Sequence, residues 1–244
     1  MVDLLRPSKI KFRPMRCPHK VEKMKKLTYV LVLLALLSGC KTDMQLEVFS
    51  SDIFLPESVK SPAQLAVEIS SCSSKDLDKQ KAEILSLFSS TANAKAAGCE
   101  RREMTSMLLI SFDAEIASTT STADVILFRG AHETQERGGK SYETRVVTPV
   151  LSKEFLQRVK TLMSSNMQRL TYDKFSIAIT INNDERRDIN FQAFSVWVDG
   201  EPYDDTGKTV LRRRDKVQLR YSNVFSDLVL RGKRPSAIYV ERLK

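Results

Sequence analysis

One long segment of alternating apolar and polar residues constrains the fold of this 244-residue chain more than any other feature. Apolar side chains recur at every second position from 108 to 116, and residues between them include Ser111 and Glu115. Since successive side chains of a strand point to opposite faces, this pattern predicts a strand with one buried face. The same period recurs in three shorter segments: 44–48, 65–69 and 175–181.

Two segments between these strands have the period of a helix instead. Apolar residues of 75–90 fall on one face at helical spacing, and those that follow Ser152 do the same. The order strand, helix, strand, strand then occurs twice, in 65–128 and in 142–198. We therefore predict an α+β fold, in which two βαββ-like halves form a mostly antiparallel sheet with helices packed on one face.

Irregular places in the strand pattern lead to further predictions. The Gly-rich segment 129–141 is expected to be an exposed hairpin tip, in which His132 is a solvated loop residue. At Gln192 and Ala193 the apolar alternation changes phase, which predicts a β-bulge. Trp197 follows this change and is expected to be half-buried, with an exposed aromatic on a binding face as the alternative.

The segment from Met24 to Cys40 carries signals of a different kind. Lys25 and Lys26 precede eleven uncharged residues, 27–37. A positively charged start followed by a short apolar run is typical of a secretory signal peptide. A membrane-spanning helix needs about 20 apolar residues, so this run is too short to be a permanent transmembrane anchor.

The residues that end this segment, Leu37-Ser38-Gly39-Cys40, resemble the lipobox of bacterial lipoproteins. The resemblance implies that the Cys40 thiol takes up a diacylglyceryl group and that the leader is cut before Cys40. Two or more acyl chains then give stable membrane anchoring. In such lipoproteins a residue other than Asp after the cysteine, here Lys41, implies the outer membrane. The chain as a whole resembles lipoproteins of the kind found in bacterial genomes and prophages.

The lipobox divides the chain into four segments. Residues 1–23 are predicted to be a non-native extension before a natural start at Met24, and residues 24–39 are the signal peptide. Residues 40–60 are then a lipid-anchored tether and first strand. Residues 61–244 are expected to form a periplasm-facing α+β domain.

Processing also changes the charge of the mature protein. The first 39 residues hold nine Lys and Arg and two Asp and Glu, so they supply +7 of the formal net charge of +9. The high isoelectric point is therefore mostly a property of the discarded leader. The remaining +2 gives no reason to expect a nucleic-acid partner.

Four cysteines are present, and two of them remain for a disulfide. Cys17 belongs to the discarded extension, and Cys40 is predicted to carry the lipid. Cys72 and Cys99 would lie in a compartment that permits disulfides. We therefore predict a Cys72–Cys99 bond, with two separate buried thiols as the alternative.

Positive charge is concentrated near the C-terminus, where residues 208–244 hold eleven Lys and Arg and three Asp and Glu. Such a surface can bind the phosphates of anionic lipid or lipopolysaccharide, or pair with another envelope protein. Solvated faces that protect strand edges are the alternative. The candidate anionic-binding residues are Arg212, Arg213, Arg214, Arg231, Lys233 and Arg234.

Catalytic residues and cofactors are not indicated by the sequence. Once the leader is removed, His132 is the only histidine, and the two remaining thiols are predicted to be bonded. No Gly-x-Ser-x-Gly motif or phosphate-binding glycine loop occurs. The acidic residues around Gly200 do not have the spacing of an EF-hand. We therefore predict no enzyme activity, no metal and no cofactor.

These observations favour an envelope lipoprotein that acts as an interaction or structural module. One alternative is a phage-encoded surface lipoprotein of the superinfection-exclusion type. A less favoured alternative is a hydrolase that uses two carboxylates, which requires a deep cleft with two close acids.

Overall fold

The alternating segments form strands of one curled sheet in the computed structural model. The structure describes residues 41–244 except 74, 103–104, 119–120, 166–173, 204–206 and 235–237. Within the described residues, no helix is both long enough and apolar enough to cross a membrane.

Thirteen strands occur in the described part of the chain. β1 to β6 are Thr42–Phe49, Val59–Ile69, Lys95–Arg102, Thr105–Ala117, Val125–Arg137 and Lys140–Leu151. β7 to β13 are Phe175–Asn182, Ile189–Ala193, Val196–Val198, Glu201–Pro202, Thr209–Leu211, Lys216–Tyr221 and Ile238–Leu243. The helices are α1 (Ser50–Phe54), α2 (Leu77–Leu85), α3 (Lys153–Ser165) and α4 (Asn223–Leu230), and a 3-10 turn spans Ser90–Ala92.

Hydrogen bonding runs through the strands in the order β10-β9-β12-β7-β1-β2-β4-β5-β6-β13-β8-β11, and β3 also pairs with β4. The pairs β1–β7 and β4–β5 are parallel, and the others are antiparallel. The short connections from β8 to β9 and from β11 to β12 join one end of this order to the other. The sheet must therefore curl to bring its two ends close together.

The predicted α+β fold is wrong. The structure is mostly β, and its helices are few and do not form a layer on one face of the sheet. The two supposed βαββ halves are not separate, because β7 lies beside β1 and β13 lies between β6 and β8. Strand partners are selected by burial and register over long sequence separations, which the local order of helices and strands does not reveal.

The two predicted helices exist, but they contribute little to the core. The helical part of 75–90 is only Leu77–Leu85, and Ile84 is its one fully buried residue. Phe155 and Leu156 of α3 join the same core as the strand residues. Both helices thus add a few side chains to the core without covering the sheet.

The side chains predicted to be buried in the strands do form the core. Met44, Leu46 and Val48 of β1 are each at most 2% exposed. Burying a side chain of this size contributes roughly 1.5–3 kcal/mol. Because β1 lies between β2 and β7, the segment 40–60 contributes a central strand to the same sheet as residues 61–244.

The phase change at Gln192 and Ala193 accompanies a change of strand partner. β8 pairs with β13 up to Ala193, whereas β9 pairs with β12 from Val196. Ser195 lies between the two strands with a φ of +53°. The alternation restarts because the chain leaves one end of the sheet order and enters the other.

The segment 129–141 is a hairpin whose strands extend almost to its tip. Only Gly138 and Gly139 separate β5 from β6, and both have positive φ. Two-residue turns of this kind match the twist of antiparallel strands and favour glycine. His132 therefore lies within β5 and not in a loop.

The predicted Cys72–Cys99 disulfide is confirmed, with Cα atoms 5.6 Å apart. Cys72 follows β2, and Cys99 lies within β3. Both strands pair with β4, on its opposite sides. The bond therefore connects the end of β2 to the strand on the far side of β4.

Replacing both Cys72 and Cys99 by Ser should lower the free energy of unfolding by about 3 kcal/mol, because the bond closes a loop across a sequence separation of 27. Urea unfolding followed by the fluorescence of Trp197 measures the loss. Reductant should destabilise the unmodified protein by a similar amount and leave the double variant unchanged. Equal unfolding midpoints for the two proteins would contradict the prediction.

Candidate functional site

Two loops meet at a buried asparagine, Asn183, which is 1% exposed. They are loop 183–188, between β7 and β8, and loop 212–215, between β11 and β12. The Asn183 side-chain amide donates hydrogen bonds to the main-chain oxygens of Leu211 (2.9 Å) and Arg187 (3.0 Å). A buried amide whose donors are both used holds its surroundings in one conformation.

Main-chain hydrogen bonds complete the junction of the two loops. The Asn183 N–H donates to the oxygen of Asp215, and the Arg214 N–H donates to the oxygen of Asn183, both at 2.9 Å. The Arg213 N–H donates to the Asp188 carboxylate at 2.9 Å. Arg214 has a left-handed φ of 66°, which costs a non-glycine residue about 1 kcal/mol or more. The surrounding hydrogen bonds hold the loops in this conformation.

Acidic side chains of loop 183–188 are engaged within the protein. Asp184 accepts hydrogen bonds from Ser50 and Ser51 of α1, and Glu185 accepts one from Arg242 at 2.6 Å. Burial alone would raise the pKa of Asp184, but the hydrogen bonds from Ser51 and Ser50 outweigh burial and lower the pKa. Both carboxylates therefore already accept hydrogen bonds from residues outside the two arginine-bearing loops.

Five arginines of the two loops are exposed, and we call them the arginine surface. None of their guanidinium groups forms a hydrogen bond or ion pair with a described residue. A guanidinium presents a planar fork of N–H donors that matches phosphate and carboxylate groups. The arginine surface can therefore bind an external anion without first breaking internal contacts. Its members are Arg186, Arg187, Arg212, Arg213 and Arg214.

The other three predicted anionic-binding residues lie elsewhere. They follow α4, which begins at the end of β12 opposite to the arginine surface. The Arg231 guanidinium donates to Asp227 at 2.7 Å, and that of Arg234 lies 4.6 Å from the centre of the Phe128 ring. Lys233 is exposed beside them. The structure thus groups only half of the six predicted residues.

Sequence reasoning did not include Arg186 and Arg187 in the basic surface. The adjacent pair of arginines is a visible signal, but it lies outside the segment 208–244 in which positive charge is concentrated. Its proximity to loop 212–215 depends on the pairing of β8 with β11 and of β7 with β12. No local pattern in the sequence predicts these two strand pairings.

The predicted lipidation residue, Cys40, lies outside the described residues. The next residue, Lys41, is already held in the sheet. Its N–H donates to the Glu68 carboxylate at 2.9 Å, and its oxygen accepts from the Glu68 N–H at 2.8 Å. β1 then runs away from this point, and its last residue pairs with Asn182 of β7. The arginine surface thus follows the end of β1 that is remote from Lys41.

A second polar feature is a cavity of about 220 Å³ lined by residues of β5, β6, β8 and β13. Glu133 and Glu241 both line it. Glu241 is 3% exposed and accepts hydrogen bonds from Lys208 (2.6 Å), Asn190 (3.1 Å) and Arg137. The cavity therefore contains a buried carboxylate whose position is determined by two cations and an amide.

This cavity bears on the alternative of a two-carboxylate hydrolase. Glu133 and Glu241 lie on β5 and β13 with β6 between them, so their Cα atoms are about 10 Å apart. Burial alone would raise the pKa of Glu241, but hydrogen bonds from Lys208 and Asn190 outweigh burial and lower the pKa. A general acid needs a raised pKa. Glu241 is therefore unsuited to donate a proton near neutral pH.

The remaining candidate residues that the structure describes, His132 and Trp197, lie on different strands. His132 Nε2 lies 3.6 Å from the carboxylate of Glu143. Trp197 is 45% exposed on β9. Asp204 and Asp205 of the acidic turn lie outside the described residues. In the part of the chain that the structure describes, no group of three His, Cys, Asp or Glu residues could hold a metal ion.

Comparison with known proteins relates the chain to a protein family. A family model described as Domain of unknown function (DUF7424) matches residues 42–244, from the first residue of β1 to the end of the chain. No curated protein matches the chain, and no solved structure matches it.

Replacing Glu241 by Gln should reduce stability in a pH-dependent way. Because the pKa of Glu241 is lowered from its ordinary value of 4.5, its ionised form stabilises the fold above pH 4.5, and this contribution is lost as the pH falls below 4.5. The variant should lose about 1–2 kcal/mol near pH 7. Urea unfolding at a series of pH values measures the difference, which should shrink below pH 4.5.

The matched control is Glu133→Gln, which removes the other carboxylate of the same cavity. Glu133 is exposed, so its replacement should change the free energy of unfolding by less than about 0.5 kcal/mol. A Glu241→Gln variant whose deficit is the same at pH 7 and pH 4 would contradict the assignment.

Proposed function

The chain belongs to the DUF7424 family, and we propose that it is a bacterial envelope lipoprotein whose domain acts as an interaction module. A lipid on Cys40 anchors it to a membrane. Because the residue after Cys40 is Lys41 and not Asp, the sorting rule of bacterial lipoproteins assigns it to the outer membrane. The arginine surface binds an anionic component of the envelope. The observation that carries this proposal is the set of five exposed arginines, on two loops joined at Asn183, whose guanidinium groups pair with no residue that the structure describes.

The chemistry of this surface favours binding over stabilisation of the fold. Other arginines of the chain are engaged within the fold, as Arg242 is with Glu143 and Glu185. The arginine surface lacks such pairs among the described residues. Its loops are fixed by hydrogen bonds to their main chain, so little backbone conformational entropy is lost when an anion binds.

The disulfide supports a location outside the cytoplasm. Bonds of this kind persist in oxidising compartments such as the bacterial periplasm. The Cys72–Cys99 bond is therefore what an exported lipoprotein would carry. It agrees with the signal-peptide-like pattern that ends in the lipobox-like residues Leu37-Ser38-Gly39-Cys40, a feature of the sequence that is separate from the disulfide.

Replacing Cys40 by Ser should abolish lipidation, because the acyl chain is attached to the thiol. Cells that express the full chain are labelled with palmitate, and the protein is examined by gel migration and label. The natural protein should be labelled, and the variant should be unlabelled and migrate more slowly as an uncut precursor. Cys72→Ser is the control and should be labelled normally. Equal label in the natural and Cys40→Ser proteins would contradict the anchor.

Replacing Arg212, Arg213 and Arg214 by Gln should remove the interaction without affecting the anchor. Each arginine at an anionic surface contributes about 1 kcal/mol, so the triple variant should lose most of the complexes recovered after crosslinking in intact envelopes. Its palmitate label should be unchanged. The result that would contradict the proposal is the same set of crosslinked complexes in the natural protein and the variant.

A further inference from the structure

The distance between the anchor and the arginine surface restricts which membrane that surface can reach. Cys40 is directly followed by Lys41, which is hydrogen-bonded to Glu68 in the sheet. The residue that follows the proposed lipid attachment point is therefore already part of the sheet. β1 spans eight residues from this point, which is roughly 25 Å of extended chain. The arginine surface lies beyond its far end.

Electrostatic screening makes this distance important. At physiological ionic strength, attraction between exposed charges falls off over about 8 Å. When β1 points away from the membrane that holds the lipid, the arginine surface is several screening lengths from the phosphates of that membrane. Its partner must then lie on the other side of the domain.

Exposed apolar residues beside the arginine surface indicate a lipid partner. Phe49 is 40% exposed and pairs in register with Asn182, the residue before loop 183–188. Val210 is 56% exposed and lies two residues before Arg212. Aromatic and aliphatic side chains enter the headgroup region of a bilayer, while arginines bind its phosphates. A soluble phosphate polymer would not require the apolar residues.

We propose that the protein bridges two lipid surfaces: the lipid on Cys40 holds one, and the arginine surface binds acidic phospholipid headgroups of a second, opposed membrane. This inference rests on the proposed lipid anchor and names the partner of the proposed interaction module. Arginines bind the headgroup phosphates in a bidentate manner. Phe49 and Val210 contact the acyl boundary beside them.

A vesicle-bridging experiment tests the proposal with the lipidated full-length protein. The protein is reconstituted in vesicles of neutral phosphatidylcholine, and fluorescent vesicles that contain phosphatidylglycerol are added. Co-sedimentation of the fluorescent vesicles measures bridging. We expect bridging that requires phosphatidylglycerol and that is lost at high salt, because screening removes the attraction.

Two variants with equal loss of charge separate the arginine surface from general basicity. Arg212→Gln, Arg213→Gln and Arg214→Gln together should weaken bridging about a hundredfold, at roughly 1 kcal/mol for each arginine. Arg231→Gln, Lys233→Gln and Arg234→Gln remove the same charge beyond α4 and should leave bridging within a factor of three. Urea unfolding confirms that both variants fold.

The remaining outcomes each count against the inference. Bridging that both variants reduce equally would show non-specific attraction, and no bridging by the folded natural protein would also overturn the proposal. In a second experiment, phosphatidylglycerol is present only in the vesicle that holds the lipidated protein. We expect that a guanidinium-modifying reagent still modifies the arginine surface. Protection of these arginines would show that they bind the membrane that holds the lipid anchor, which would contradict the proposal. Binding of soluble polyphosphate without bridging would overturn it as well. Absence of palmitate on the starting protein would instead refute the anchor.

Discussion

The parallel pairing of β1 with β7 is the contact on which both the fold and the candidate site depend. It joins the strands β10, β9, β12 and β7 to the rest of the sheet through eight register pairs, from Thr42 with Phe175 to Phe49 with Asn182. The buried side chains of β1 supply the apolar contacts that stabilise this junction. The same pairing sets the position of the arginine surface, because loop 183–188 begins where β7 ends beside the last residue of β1.

Three buried polar groups fix local arrangements that the apolar pattern of the strands does not indicate. Asn183 joins the two arginine loops, and Glu241 is held by Lys208, Asn190 and Arg137. Arg129 is 1% exposed and donates to the main-chain oxygens of Leu55 and Glu57, just after α1. Burial, followed by the nearby charge of Arg145, lowers the pKa of Arg129. These groups are costly to bury unless hydrogen-bonded, so each one specifies a single local arrangement.

The candidate site was only partly predictable. The run Arg212–Arg214 is visible as a basic motif, and its exposure follows from its place between two short strands. The sequence did not reveal that this run lies beside Arg186 and Arg187. It also did not reveal that the run lies apart from Arg231, Lys233 and Arg234. Those relations depend on which strands pair, and a strand's alternation is the same whichever neighbour it has. For the same reason the α+β prediction was wrong: short helical segments between strands suggested repeated units, whereas the strands of both halves assemble in one order.

Short motifs and the periodicity of strands depend only on residues that are close together in the sequence. The charged start and apolar run before Cys40, the two cysteines left to pair, and the inward positions of β1 and β4 could therefore be inferred without coordinates. The order of strands, the change of partner after Ala193, the burial of Asn183 and the distance from Lys41 to the arginine surface emerged only in the folded chain. They arise from contacts between residues that are distant in the sequence, such as Ala193 with Ile238 and Ser50 with Asn183. The free energy of those contacts depends on the whole sheet and not on any one segment.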